Sequence, residues 1–474
     1  MKTTSTPTFF FYDLETSGLD PRLHRIMQFA GQRTDLELRP IGEPVNILVS
    51  LSDEVLPDPG AILVTGITPQ KTREEGYSEA EFLKILHDKV VTPGTTIVGF
   101  NSVRFDDEFM RFVLYRNFYD PYEWQWKDNC SRWDMLDVVR MTRALRPEGI
   151  EWPVDDQGNP TNRLELITAR NGLAHENAHD ALSDVFALID VARLIKTKQP
   201  KLFTYLLDCR TKHAVGDVVS LENPQPFVYT SGRYPKEHLH TTVAYPVAEG
   251  SRPGTAIVYD LRHDPNDWKN ASIAEMKQAR FATREQRLAE NFKPLPAKEL
   301  AFNKCPAIAP LGVLDEPARE RLGIDLAVIE RNLKTLRTSG LAERLSEVFA
   351  RDGAWPKAAD VDASLYDGFI GDQDKTLMSA IRASDAKALI NFKPEFRDAR
   401  LTELLLRYKA RNFPQSLSDS EREAWEAYRT ERLQTDLPKF IAQLSRIASQ
   451  TTEEQHHFLL RELQLWAESV APSE

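Results

Sequence analysis

Four acidic residues and one histidine in this chain have the types and spacing for phosphodiester hydrolysis: Asp13 and Glu15 in FFFYDLETSGL, Asp106 in GFNSVRFDDEF, and His179 with Asp184 in NAHDALSD. On a strand, residues i and i+2 face the same way, so Asp13 and Glu15 project together. Two carboxylates side by side are costly unless a cation neutralises them. Hard oxygen ligands suit Mg²⁺, with Mn²⁺ able to substitute, rather than zinc. Asp106 and Asp184 can complete a site for two such ions, one helping to generate hydroxide and one stabilising the leaving 3′ oxygen. His179 and Asp184 would point about 140° apart if both were mid-helix. The spacing therefore predicts His179 on a loop and Asp184 in the second turn of the following helix. A loop imidazole beside a metal-bound water is a good general base.

Each fragment also has an ordinary reading. A D-x-E pair can be a solvated strand face, Asp106 can be a helix N-cap, and His179 and Asp184 can be a loop histidine and a surface aspartate. The simultaneous presence of all five favours the catalytic reading. His175-Glu176-Asn177-Ala178-His179 also matches H-E-x-x-H, a zinc metallopeptidase motif. That motif needs a continuous helix and a third ligand. Here Gly172 and Asn177 disfavour the helix, and no further His or Glu occurs before His213 and Glu222.

The elements that must carry these residues read as α/β from residue 1 to about 200. TFFFYDLE is a short apolar strand. RIMQFAGQRTDLEL and PVNILVSLS are the next two, with a turn at Pro40-Ile41-Gly42. TTIVGFN is a strand ending near Gly99, and a helix starts near Asp106. Helical periodicity runs from Asp180 to about Lys196. After Pro200, FVYTSGRYP, TTVAYPVAE and TAIVYDL are strand-like runs between turn residues, the pattern of a small all-β unit. From about Asp325 the pattern is helical again. AWPKAAD near residue 354 reads as a linker, and charged amphipathic helices follow, including Arg400–Arg411 and Ser418–Leu433.

The totals are ordinary for a soluble globular protein of several domains. The chain has 474 residues with 41% hydrophobic composition, and at roughly 150 residues per domain about three domains are expected. The net charge of -11 argues against a generally basic nucleic-acid binder, so any such contact needs a local groove. Three scattered cysteines, Cys130, Cys209 and Cys305, suggest neither a disulfide framework nor structural zinc, and fit a reducing cytoplasm. No leader and no membrane span are expected. There is no phosphate-loop or dinucleotide fingerprint, which disfavours a helicase or an oxidoreductase.

DLETSGL, Asn101-x3-Phe105-Asp106 and His179-x4-Asp184 resemble the three motifs of the histidine branch of the DEDD exonuclease superfamily. YRNFYDPYEWQWKDNCSRWDMLDV, ALRPEGIEWP and LLLRYKARNFPQSL extend the resemblance over essentially the full length, to the bacterial exodeoxyribonuclease I family. The resemblance implies a ribonuclease H-like exonuclease domain with a mixed sheet (1–200), a Src-homology-3-like β-barrel domain (201–353) and an α-helical C-terminal domain (354–474). It implies processive, Mg²⁺-dependent 3′→5′ degradation of single-stranded DNA to 5′-mononucleotides in repair and recombination, by a monomer. The five residues alone leave open an exoribonuclease or a proofreading exonuclease. A non-enzymatic adaptor is disfavoured by the intact set.

Arg400, Arg407 and Arg411 fall within a stripe of about 40° on a helix. They are either a phosphate path or arginines snorkelling at the rim of a core. Glu15 and Tyr12 are further candidates to touch the strand, Tyr12 by stacking on a base, whereas packing is the reading preferred for Phe105. The resemblance also implies docking of the acidic C-terminal tail of single-stranded-DNA-binding protein. A free terminal carboxylate needs an apolar pocket beside an arginine. Arg146 in LRPEGI and Arg337 in NLKTLR are the candidates, although Asp315 is acidic where a cation would be expected.

Overall fold

The apolar run in TFFFYDLET is continuous because the strand it forms, β1 (Thr8–Thr16), is covered on both faces. Phe9 and Phe11 on one face, and Phe10, Tyr12 and Leu14 on the other, are all buried. Asp13 and Glu15, where the aromatic run ends, remain partly exposed, as does Thr8 at the start of the strand. The computed structural model describes residues 6–174, 180–351, 353 and 356–471. They fall into two compact units.

The first unit comprises Met1–Ser131, His175–Ile189 and Trp355–Glu474. In it, β1 lies between β2 (Ile26–Thr34) and β4 (Thr95–Gly99), and β3 (Val45–Leu48) flanks β2. Strand β2 is antiparallel to β1, with Asp13 opposite Ala30 and Glu15 opposite Gln28, whereas β4 is parallel, with Phe11 opposite Val98. This is the mixed sheet expected. A register shift between Glu15 and Thr16 disturbs the ladder beside the carboxylates, as bulges near active sites often do.

The helix Asp106–Arg116 starts where the sequence places it. Phe109, Met110, Val113 and Leu114 pack toward the sheet with Phe10, Tyr12 and Phe29. Phe112 and Tyr115 pack instead with Leu401, Leu404 and Tyr408 of the C-terminal helices. A second apolar seam joins Met27, Ile62 and Ile67 to Phe440, Leu460 and Leu463. The helix that follows the acidic motif, Ala181–Lys198, begins in this unit.

Strand β5 (Ser131–Asp134) is where the chain passes from the first unit to the second, which comprises Arg132–Ala174 and Asp190–Ala354. Five antiparallel strands stand there in the order β10, β6, β7, β8, β9: β6 (Phe227–Thr230), β7 (Thr241–Glu249), β8 (Thr255–Asp260), β9 (Ala297–Ala301) and β10 (Ala307–Pro310). Their core includes Phe227, Ala244, Val258, Leu300 and Ile308. The first three of these strands were legible in the sequence. Strand β9 was not, because AKELA is half-exposed and carries two charges. The expected linker near residue 354 lies partly outside the described residues.

Candidate active site

The site is built from the ends of three elements in the first unit. Asp13 and Glu15 leave one face of β1 together, as i,i+2 geometry requires. Asp184 joins them: ligand oxygens of Asp13, Glu15 and Asp184 all lie within 4.8 Å of one another. Asp180 caps the helix that carries Asp184, its carboxylate accepting from the Ser183 backbone N–H at 3.0 Å. Helix residues begin at Ala181, so Asp184 sits in the first turn, one turn earlier than expected. Asp106 is the first residue of its helix and only 5% exposed. The turn before it contains Asn101 in the left-handed region, φ 64°, a conformation that asparagine tolerates.

These groups raise one another's proton affinity. Burial, then the charges of Asp106, Glu15 and Asp184, hold the Asp13 carboxyl well above the usual carboxylate range, against one lowering backbone hydrogen bond at Leu14. Burial, then Asp184, Asp106 and Asp180, push Glu15 up to about 8. A cluster whose members oppose each other's ionisation is one that a divalent cation would relieve. All of its donors are carboxylate oxygens, which suits a hard ion. His175 and His179 lie outside the described residues.

Three family descriptions match along the chain: Exonuclease over residues 10–192, Exonuclease I SH3-like domain over 210–351, and Exonuclease I C-terminal domain over 359–470. Exodeoxyribonuclease I of Escherichia coli K12 is 39% identical over 470 residues, spanning 98% of both chains. The chain belongs to the exonuclease I family. The E. coli exonuclease I structure in complex with a dA16 oligonucleotide superposes with a TM-score of 0.94 at 38% identity, covering 98% of this chain and 100% of that one. The zinc-bound form of the E. coli exonuclease I–single-stranded DNA complex gives 0.93 at 37%, covering 98% and 99%. Exonuclease, SH3-like and helical C-terminal domains are thus all present in this exonuclease I family member, and its enzymatic class is exonuclease.

Two expectations about the strand's path need correcting in this family member. The arginine stripe on Arg400–Asn412 is engaged by carboxylates of the protein itself, and two of its three members are withdrawn from solvent. Arg407 is 3% exposed and pairs with Asp360 at 2.7 Å and Asp362 at 3.1 Å. The Arg411 side chain, 5% exposed, pairs with Asp362 at 2.5 Å and Glu54 at 2.9 Å. Arg400 pairs with Asp398 at 2.6 Å. The stripe was read correctly as one face, but Arg407 and Arg411 meet the buried carboxylates of Asp362 and Glu54, and Arg400 the partly exposed Asp398, so its charge is taken up by the protein's own carboxylates. Tyr12 is buried in the core, stacked on Phe29 with centroids 6.0 Å apart, and cannot receive a base. Phe105 packs against Phe109, as preferred.

In the second unit, Arg146 pairs with Asp315 at 3.2 Å and donates to the Val313 carbonyl at 3.0 Å. The Arg337 Nε donates to the Tyr245 hydroxyl at 3.2 Å. Asp315 itself caps the helix Glu316–Leu322, which explains an acidic residue at that position. Sequence reasoning missed Asp107, Glu54 and Asp362, all buried. The doubled aspartate in RFDDEF was the signal for the first, whereas nothing local marks the other two.

Proposed function

We propose that the chain removes 5′-mononucleotides from the 3′ end of single-stranded DNA, processively and with Mg²⁺, as a monomer in DNA repair and recombination. The observation that carries this reading is the convergence of Asp13, Glu15 and Asp184 within 4.8 Å in a chain matched end to end by exonuclease I relatives. Divalent ions bound there would supply charge to the phosphoryl group and lower the pKa of water. Asp13, Glu15 and Asp184 would hold them, and Asp106 would complete the set. Glu15, partly exposed at the strand end, would also touch the terminal nucleotide. His179 would take the proton of the attacking water. The domain limits 1–200, 201–353 and 354–474 are kept as part of this proposal.

A related structure binds single-stranded DNA with zinc present, which supports a divalent metal without choosing Mg²⁺. Three free, buried thiols support a reducing cytoplasm, and no helix among the described residues is long and apolar enough to cross a membrane. For the partner tail, Arg146 and Arg337 stay the proposed carboxylate-gripping residues. The test is incubation with labelled single-stranded DNA, duplex DNA and RNA, with and without Mg²⁺. Mg²⁺-dependent mononucleotide release from single-stranded DNA is expected, and equal activity on RNA would overturn the DNA assignment.

A further inference from the structure

Asp13 and Asp106 come from different elements, and like charges at that junction push strand and helix apart. A bond between their sequence neighbours opposes this. Tyr12 precedes Asp13 and points to the other face of β1. Asp107 follows Asp106 in the first turn of its helix. The Tyr12 hydroxyl donates to Asp107 Oδ1 at 2.8 Å, with the two residues 2% and 1% exposed. The ring is fixed by Phe29 on one side and by the edge of Trp124, 6.4 Å away. At the end of β4, a Cβ on Gly99 would stand 3.3 Å from Tyr12 Cε1 and 2.4 Å from Ser102 Cβ. The connection from β4 to the helix therefore lies tight against this ring.

We propose that Tyr12 and Asp107 form a positioning strut that sets the separation of Asp13 and Asp106, and so tunes the cation site. The proposal rests on the reading of those carboxylates as the metal-binding set. Tyr12 touches no reacting atom; it acts through the backbone it shares with Asp13, and Asp107 acts through the turn it shares with Asp106. A hydrogen bond sheltered from water holds its geometry well, and loss of such supporting contacts commonly weakens metal affinity or activity by about tenfold or more.

The experiment uses the full chain without DNA and reads Mn²⁺ affinity from the electron paramagnetic resonance of free Mn²⁺, with circular dichroism to verify folding. Tyr12→Phe is expected to stay folded, to bind Mn²⁺ about tenfold more weakly, and to lower kcat with KM for an oligonucleotide unchanged. Asp107→Ala should do the same, and the double variant should be no worse than Asp107→Ala, because both remove one interaction. Should Asp107→Ala fail to fold, Tyr12→Phe alone decides. Wild-type Mn²⁺ affinity and kcat in folded Tyr12→Phe would overturn the strut, as would additive losses in the double variant. Asp106→Asn separates the two readings. Wild-type Mn²⁺ affinity in that variant overturns the carboxylate site and the strut with it. Weakened binding there with an unaffected Tyr12→Phe overturns the strut alone.

Discussion

Two acidic clusters sit in the same unit and behave in opposite ways. At the end of β1, Asp13, Glu15, Asp106 and Asp184 face one another, and the carboxyls of Asp13 and Glu15 are held above their ordinary range. Under the C-terminal helices, Glu54 and Asp362 are equally buried, yet both are held down. Burial pushes Glu54 up, but Arg411 and Arg25 outweigh it and bring the group to about 2. Arg411, Arg25 and Arg407 hold Asp362 well below its usual value, again against burial. Arg25 reaches Asp362 at 3.2 Å. The difference lies in where the compensating cation comes from. The second cluster is complete within the chain and ties the exonuclease core to the C-terminal helices. In the first, burial and neighbouring carboxylates hold Asp13 and Glu15 up, and so it is suited to a cation from outside.

The largest expected effect is at the candidate cluster at the end of β1. Asp13→Ala or Asp184→Ala should lose several kcal/mol of barrier lowering, leaving no measurable cleavage in a single-turnover assay while the fold persists. Near-wild-type turnover by either variant would mean that the cluster at the end of β1 is not the site. His179→Ala should slow the chemical step by about 10²–10⁴-fold with Mn²⁺ affinity unchanged; a lost metal ion would instead make the histidine a ligand.

At the compensated cluster, Asp362→Ala leaves buried guanidinium charge and should cost about 3–5 kcal/mol, read by denaturant unfolding. The acid response follows from the sign of the shifts. Glu54 and Asp362 have folded pKa values below their unfolded ones, so each contributes stability that is lost as pH falls through its folded value; for Glu54 the contribution is full above about pH 4.5 and is lost as pH falls toward about 2. Stability that rises over that fall in pH would contradict the pairing. The candidate cluster at the end of β1 has the opposite linkage. Because Glu15 holds its proton up to about pH 8, cation binding must displace protons, so Mn²⁺ affinity should strengthen with pH and level off above that value.

The smallest effect concerns the second unit. Arg337→Ala or Arg146→Ala should weaken binding of a labelled acidic tail peptide, about 10-fold or less for Arg146, whose charge is already shared with Asp315 at 3.2 Å. Fluorescence anisotropy at two salt concentrations checks this. Binding that ignores both substitutions and salt would remove the proposed pocket.

Much of the fold was legible. β1 through β4 and the helices starting at Asp106 and near Asp180 stand where apolar periodicity put them. So did β6 to β8, whereas β9 and β10 are too short, and β9 too polar, to read alone. Of the candidate site, four carboxylates were found at their expected elements, and His179 lies outside the described residues. Tyr12 and the arginine stripe were given the wrong surroundings.

By itself the sequence determined which residues share a face: Asp13 with Glu15 on a strand, Arg407 with Arg411 on a helix. These follow from the strand and helix repeats, which are local. It also carried the family's motifs along the whole length. Only the tertiary structure decided what each face meets. It brought Asp184 to the β1 pair, and it put Asp362, not a phosphate, opposite Arg407 and Arg411. A charge stripe has the same periodicity whether it is solvated or buried. What neutralises it depends on contacts hundreds of residues away, such as Arg411 with Glu54, 357 positions apart, and no local pattern encodes those.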